Sequence, residues 1–109
     1  FGCKPAFRML TPLGYPDMKS FLAGASFVIT DSGGTCRESY FLHKQALILM
    51  EKPFWPEILE NNCGLSSAAD KKEIVKKFFA LAGLKGNFET GIFGDGNAAG
   101  KIREILAVI

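Results

Sequence analysis

Residues 27–38 read Phe-Val-Ile-Thr-Asp-Ser-Gly-Gly-Thr-Cys-Arg-Glu, a short apolar run that stops at Asp31-Ser32-Gly33-Gly34 and passes into a helix-like stretch. Such a junction can hold an anion. The first backbone N–H groups of a helix lack intrahelical acceptors and lie at the positive end of the helix dipole. Gly33 and Gly34 carry no Cβ, so the backbone can approach phosphate oxygens closely. Asp31 or Ser32 can cap the helix, and the Ser32 hydroxyl can also donate to a ligand. Each charge-assisted hydrogen bond contributes roughly 1.5–3 kcal/mol, so a few suffice for a diphosphate. The same four residues also suit a capped turn that holds no ligand.

Other chemistries fit less well. Asp-Ser-Gly-Gly surrounds the nucleophile of trypsin-like serine proteases, but those enzymes need a His and an Asp upstream in an all-β fold. The single histidine here, His43, lies downstream in a helical pattern. Cys3, Cys36 and Cys63 are odd in number and widely spaced. They match neither a zinc site nor a disulfide framework and are expected to be reduced thiols. No metal site and no cofactor are expected.

The elements that must position the turn follow from periodicity. Phe7-Arg-Met-Leu10 reads as a first strand, ended by residues 11–16 with their two prolines and a glycine. Asp17 can cap a helix carrying Met18, Phe21 and Leu22, closed by Gly24. A second strand covers Phe27 to Thr30, and a helix runs from Cys36 to Leu42. Ala46 to Met50 is continuously apolar, as a strand buried on both faces must be. Pro56 suits the first position of a short helix through Glu57, Ile58 and Leu59. Asn61-Asn62-Cys63-Gly64 breaks the pattern. Asp70 can cap a helix from Lys71 to Ala82 with Ile74, Val75, Phe78, Phe79 and Ala82 on its apolar face. Gly83 to Gly96 reads as a packed loop through Phe88, Ile92 and Phe93. A final helix over 97–109 aligns Ile102, Ile105, Leu106 and Ile109 in one stripe.

Strands alternating with helices predict an α/β fold, a Rossmann-like parallel sheet flanked by helices, in a single domain over 1–109. The composition agrees: 48% of the 109 residues are hydrophobic and 22% charged, a balance that builds a core. Thirteen basic and eleven acidic residues give a net charge of +2 without a basic arm or arginine stripe, which disfavours nucleic acid. No apolar run reaches the roughly 18 residues of a membrane span and no signal sequence opens the chain, so a soluble cytoplasmic protein is expected. Ten phenylalanines are many for this length, and a sheet of three or four strands is small for a free-standing doubly wound fold. Part of the apolar surface is therefore expected to face a partner, and the chain to be a piece of something larger.

Pro12-Leu13-Gly14-Tyr15, Thr30-Asp-Ser-Gly-Gly34, Glu38, Pro56-Glu57 and Phe93-Gly-Asp-Gly96 occur here in order and at a spacing found in one family. From about Leu10 to Leu106 the chain resembles the non-hydrolysing UDP-N-acetylglucosamine 2-epimerases, in the final part of their second domain. The resemblance implies a partial carboxyl-terminal domain of the GT-B architecture, in which a UDP-sugar lies in the cleft between two Rossmann-like domains. It implies that Ser32, Gly33 and Gly34 hold the diphosphate and that Glu38 accepts hydrogen bonds from the ribose hydroxyls. On spacing alone a solvated helix-face residue is the better reading of Glu38. The loop from Pro12 to Met18 would lie near the uracil, with Tyr15 as a packing or stacking face.

The family inverts C2 of the sugar by eliminating UDP and adding it back. By resemblance its catalytic carboxylates and active-site His lie outside the matched region, so no catalytic residue is expected in this chain, nor turnover by it alone. The implied partners are a UDP-sugar, the amino-terminal domain and a second copy in a homodimer. Three departures stand out: Met50 stands where the family commonly has an Arg after the apolar strand, Pro53-Phe54-Trp55 stands where it has Thr-Glu-Arg or Thr-Glu-Trp and is also readable as packing against the absent domain, and His43 falls at a helix end where Gly is usual. Phe93-Gly-Asp-Gly96 is also readable as a tight turn with an Asp cap. Two alternatives remain from the sequence. A GT-B glycosyltransferase would use a similar Gly turn and Glu, although Pro-Leu-Gly-Tyr with Phe-Gly-Asp-Gly favours the epimerase. A free-standing nucleotide-binding module would expose no large apolar patch.

Overall fold

The computed structural model describes residue 2 and residues 4–89 and 91–109; Cys3, expected as a free thiol, lies outside them. Among the described residues three strands form one parallel sheet in the order β1 (Val28–Thr30), β2 (Ala46–Ile48), β3 (Gly64–Ser66). Val28 pairs with Ala46, which pairs with Gly64. Five helices accompany it among the described residues: α1 (Tyr15–Ala23), α2 (Gly33–Phe41), α3 (Pro56–Glu60), α4 (Lys71–Ala82) and α5 (Ala98–Ala107). No helix among the described residues is long and apolar enough to cross a membrane.

The apolar run at Ala46 becomes the middle strand, and all three of its residues are buried. Ala46 and Ile48 join Val28, Cys36, Tyr40, Ile58 and Cys63 in the core. Leu47 alternates to the opposite face and is fully buried, as is Leu81 of α4, which packs on β2 and β3. Gly64 is required by close packing, since a Cβ there would stand 2.7 Å from the Ala46 carbonyl oxygen.

Two strands are entered by the same device. After α2, the Lys44 N–H donates to Ser39 O (2.8 Å) and the His43 N–H to Tyr40 O (3.0 Å). After α3, the Cys63 N–H donates to Ile58 O (2.9 Å) and the Asn62 N–H to Leu59 O (3.0 Å). Both are Schellman caps, and both place a non-glycine residue in the left-handed region: His43 and Asn62 each have φ of 56°. His43 is thus the helix-end residue that its position suggests.

Several expectations are corrected. Phe7-Arg-Met-Leu10 is not a strand; Phe7 is 74% exposed, and the free edge of β1 has no ladder partner among the described residues. Propensity without a hydrogen-bonded neighbour does not make a strand. Helix α1 starts two residues before Asp17, with Gly14 as N-cap and Pro16 in its first turn. Helix α2 starts at Gly33, so the glycines are its first turn and not a loop before it. The break at 61–64 conceals β3, too short to show a period. In α4 the Asp70 cap and the bounds are as expected, but Val75, Phe79 and Ala82 lie on the wet side while Leu81 is the buried anchor. The stripe on α5 exists, yet this helix buries no residue.

Candidate functional site

Helix α2 is capped by Ser32, whose hydroxyl oxygen accepts the Thr35 N–H at 3.3 Å, while the Cys36 N–H donates to Ser32 O at 3.0 Å. The N–H groups of Gly33 and Gly34 are left as the open donors of the helix. Because the Ser32 oxygen acts there as acceptor, its O–H stays available to a ligand. The Ser32 N–H donates to Thr30 Oγ1 at 3.0 Å, which fixes the turn to the end of β1.

One turn further on, Glu38 Oε1 accepts the Tyr15 O–H at 3.0 Å. That bond ties α1 to α2 and closes a cavity of about 270 Å3 lined by Tyr15, Met18, Ser32, Gly34 and Glu38, among others. Five of the six predicted site residues therefore meet in one place. Gly33 does not line it; its Cα faces the ring of Phe54 on the loop after β2. Lys19 and Arg37 also border the cavity, with Lys19 Nζ 5.8 Å from the centre of the Tyr15 ring. Two cations and a helix N-terminus against one carboxylate make the cavity attractive to an anion.

Cys36, directly under the turn, is buried, and desolvation pushes its thiol up to about 11. It is a neutral packing group at physiological pH. No cluster of three or more His, Cys, Asp or Glu side chains able to hold a metal ion occurs among the described residues. His43 stands at the opposite end of α2, its ring stacked on Phe88 at 5.3 Å. Phe93-Gly-Asp-Gly96 forms a turn in which Gly94 and Gly96 have positive φ and Asp95 Oδ1 accepts the Asn97 N–H at 3.0 Å. Asp95 Oδ2 also takes the Lys101 ammonium at 2.9 Å, which holds the carboxyl below its usual range.

Trp55 was not legible as a site residue. Its indole N–H donates to Gly33 O at 3.0 Å, its ring carries the Arg37 guanidinium at 4.8 Å, and it meets Phe93 edge-on at 5.4 Å. The signal was its being the chain's one tryptophan, set between two prolines, because a partly buried indole N–H must find an acceptor.

The family model that describes UDP-N-acetylglucosamine 2-epimerases matches residues 2–107. The chain belongs to this epimerase family. It is 27% identical over 106 residues to a UDP-2,3-diacetamido-2,3-dideoxy-D-glucuronate 2-epimerase of Pseudomonas aeruginosa, covering 97% of this chain and 30% of that protein. It is 32% identical over 96 residues to a UDP-N-acetylglucosamine 2-epimerase of Methanococcus maripaludis, covering 87% and 25%. In structure it is similar to the Methanocaldococcus jannaschii UDP-GlcNAc 2-epimerase solved with UDP-GlcNAc and UDP, with a TM-score of 0.80 and 25% identity over 92% of this chain and 27% of that one. The chain thus spans less than a third of the length of each of these epimerases.

Proposed function

We propose that this chain forms the nucleotide-binding side of a UDP-sugar 2-epimerase site. The observation that carries the reading is the cavity in which the Ser32–Gly34 helix start faces the Tyr15–Glu38 pair. The N–H groups of Gly33 and Gly34 and the Ser32 O–H hold the diphosphate. Glu38 accepts from the ribose hydroxyls, oriented by the Tyr15 phenol, and Tyr15 and Met18 border the uracil.

In the reaction a base removes the C2 proton of the sugar while the C1–O bond to UDP breaks, and UDP departs as an anion. Re-addition restores the C1–O bond as an acid returns a proton to the opposite face of C2. The helix start stabilises the charge that develops on the leaving diphosphate. The acid and base come from outside this chain, and loss of positioned proton-transfer groups typically lowers a rate 10²–10⁴-fold each. By itself the chain binds nucleotide and does not epimerise.

Exposed apolar surface on α5, where Ile102, Ile105 and Leu106 face outward, suits a chain that is covered by an amino-terminal domain or a second copy and disfavours a self-sufficient module. The unpaired, buried thiols of Cys36 and Cys63 suit the reducing cytoplasm.

The test is an NMR titration with UDP, UMP and uridine, following the amides of Gly33, Gly34 and Thr35. Affinity that falls with each phosphate removed, with the largest shifts at those amides, supports the reading. Equal response to all three ligands, or shifts elsewhere, refutes it.

A further inference from the structure

We propose that Phe54 is the platform against which the sugar ring of the bound nucleotide sugar packs, an inference that rests on the reading of residues 32–34 as the diphosphate site. A nucleotide sugar is linear: nucleoside, diphosphate, sugar. The cavity of Tyr15 and Glu38 takes one flank of the α2 N-terminus for the nucleoside, and Ser32 and Gly34 stand between. Phe54 does not line that cavity and meets the turn at Gly33, which does not line it either. Ligands of parallel α/β sheets lie outside the carboxyl ends of the strands, and Phe54 follows β2 as the Gly turn follows β1.

The ring is held in place but not covered. It touches the Gly33 backbone closely enough that a Cβ there would come within 2.7 Å, yet Phe54 remains 69% exposed. Its neighbour Trp55 is bonded to Gly33 O at 3.0 Å, so the segment cannot drift from the turn. A pyranose presents a face of C–H groups that an aromatic ring can cover, and dispersion over that face is summed over many weak contacts. Where the family resemblance calls for a polar residue, this chain thus offers an apolar one beside the phosphates, which selects for a sugar recognised there by its C–H face.

The experiment is calorimetric titration of the chain with UDP and with UDP-N-acetylglucosamine, for the unchanged sequence, Phe54→Ala and Phe54→Trp, with circular dichroism to verify folding. Phe54→Ala should weaken UDP-N-acetylglucosamine about three- to tenfold while leaving UDP unchanged, and Phe54→Trp should restore the sugar nucleotide. Equal losses for both ligands, or no loss for the sugar nucleotide, would overturn the assignment and make Phe54 a packing residue. Failure of the unchanged chain to bind UDP would instead remove the diphosphate reading beneath it.

Discussion

A Cβ on Gly33 would stand 2.7 Å from Phe54 Cδ2, whereas one on Gly34 would meet nothing nearer than Ser32 Oγ at 3.8 Å. The paired glycines therefore have different reasons to be glycine. The first admits an aromatic ring, and the second opens onto the cavity. Gly33→Ala should push the exposed Phe54 ring aside and destabilise the fold by no more than about 1 kcal/mol. In a Phe54→Ala background the same change should be neutral or stabilising, and urea unfolding of the four sequences measures the coupling. Gly34→Ala, in a helix turn with space, should stabilise the fold by about 0.5–1 kcal/mol.

The Tyr15–Glu38 bond predicts graded losses of nucleotide affinity. Glu38→Ala should weaken UDP by about tenfold or more, as expected when a charge-assisted hydrogen bond of roughly 1.5–3 kcal/mol is removed. Tyr15→Phe keeps the carboxylate but frees its orientation, so its loss should be smaller. Calorimetry on the two variants decides the order; a larger effect for Tyr15→Phe would place the ribose elsewhere.

Much of this arrangement was legible in the sequence, for identifiable reasons. Asp70 marked the start of α4 because a side-chain cap leaves a local signature, and Gly24 falls at the end of α1, although its φ of -82° is right-handed. Ala46 to Ile48 announced a central strand because burial on both faces needs an uninterrupted apolar run. Legibility failed where structure depends on distant partners. Gly64–Ser66 is a strand only because β2 lies beside it, and Phe7 to Leu10 is not one because nothing pairs with it among the described residues. The rotation of α4 was missed because Phe78, Phe79 and Leu81 offer two competing apolar faces to a periodicity count. At the site, Ser32, Gly34 and Glu38 share one helix and could be read locally. The contacts of Phe54 and Trp55 with Gly33 arise across the end of the sheet, and only the single tryptophan between two prolines hinted at them.

His43 occupies the left-handed C′ position of a Schellman cap, φ 56°, where glycine is favoured. His43→Gly removes that strain and also the stack on Phe88. The backbone effect is the larger, about 1 kcal/mol, so the variant should be slightly more stable in urea unfolding. UDP affinity should not change, because His43 lies at the far end of α2 from the Ser32–Gly34 turn.

Burial raises the Cys36 thiol from 9.0 to about 11. A folded-state value above the unfolded one stabilises the fold fully below pH 9, and that contribution is lost as pH climbs from 9 toward 11. Urea midpoints should accordingly fall over that window and fall less in Cys36→Ala. At pH 8 the folded thiol should be almost wholly protonated, and alkylation read by peptide mass spectrometry should leave Cys36 unmodified until the chain unfolds.

If the α2 N-terminus and Glu38 together bind UDP, the nucleotide must lose affinity when both side chains are cut back. Calorimetric titration of the chain with UDP, beside a Ser32→Ala, Glu38→Ala double variant shown to be folded, tests it most directly. A single site is expected, with an affinity that drops by about 100-fold or more in the double variant, as two charge-assisted bonds are lost. UDP bound equally well by both proteins would contradict it.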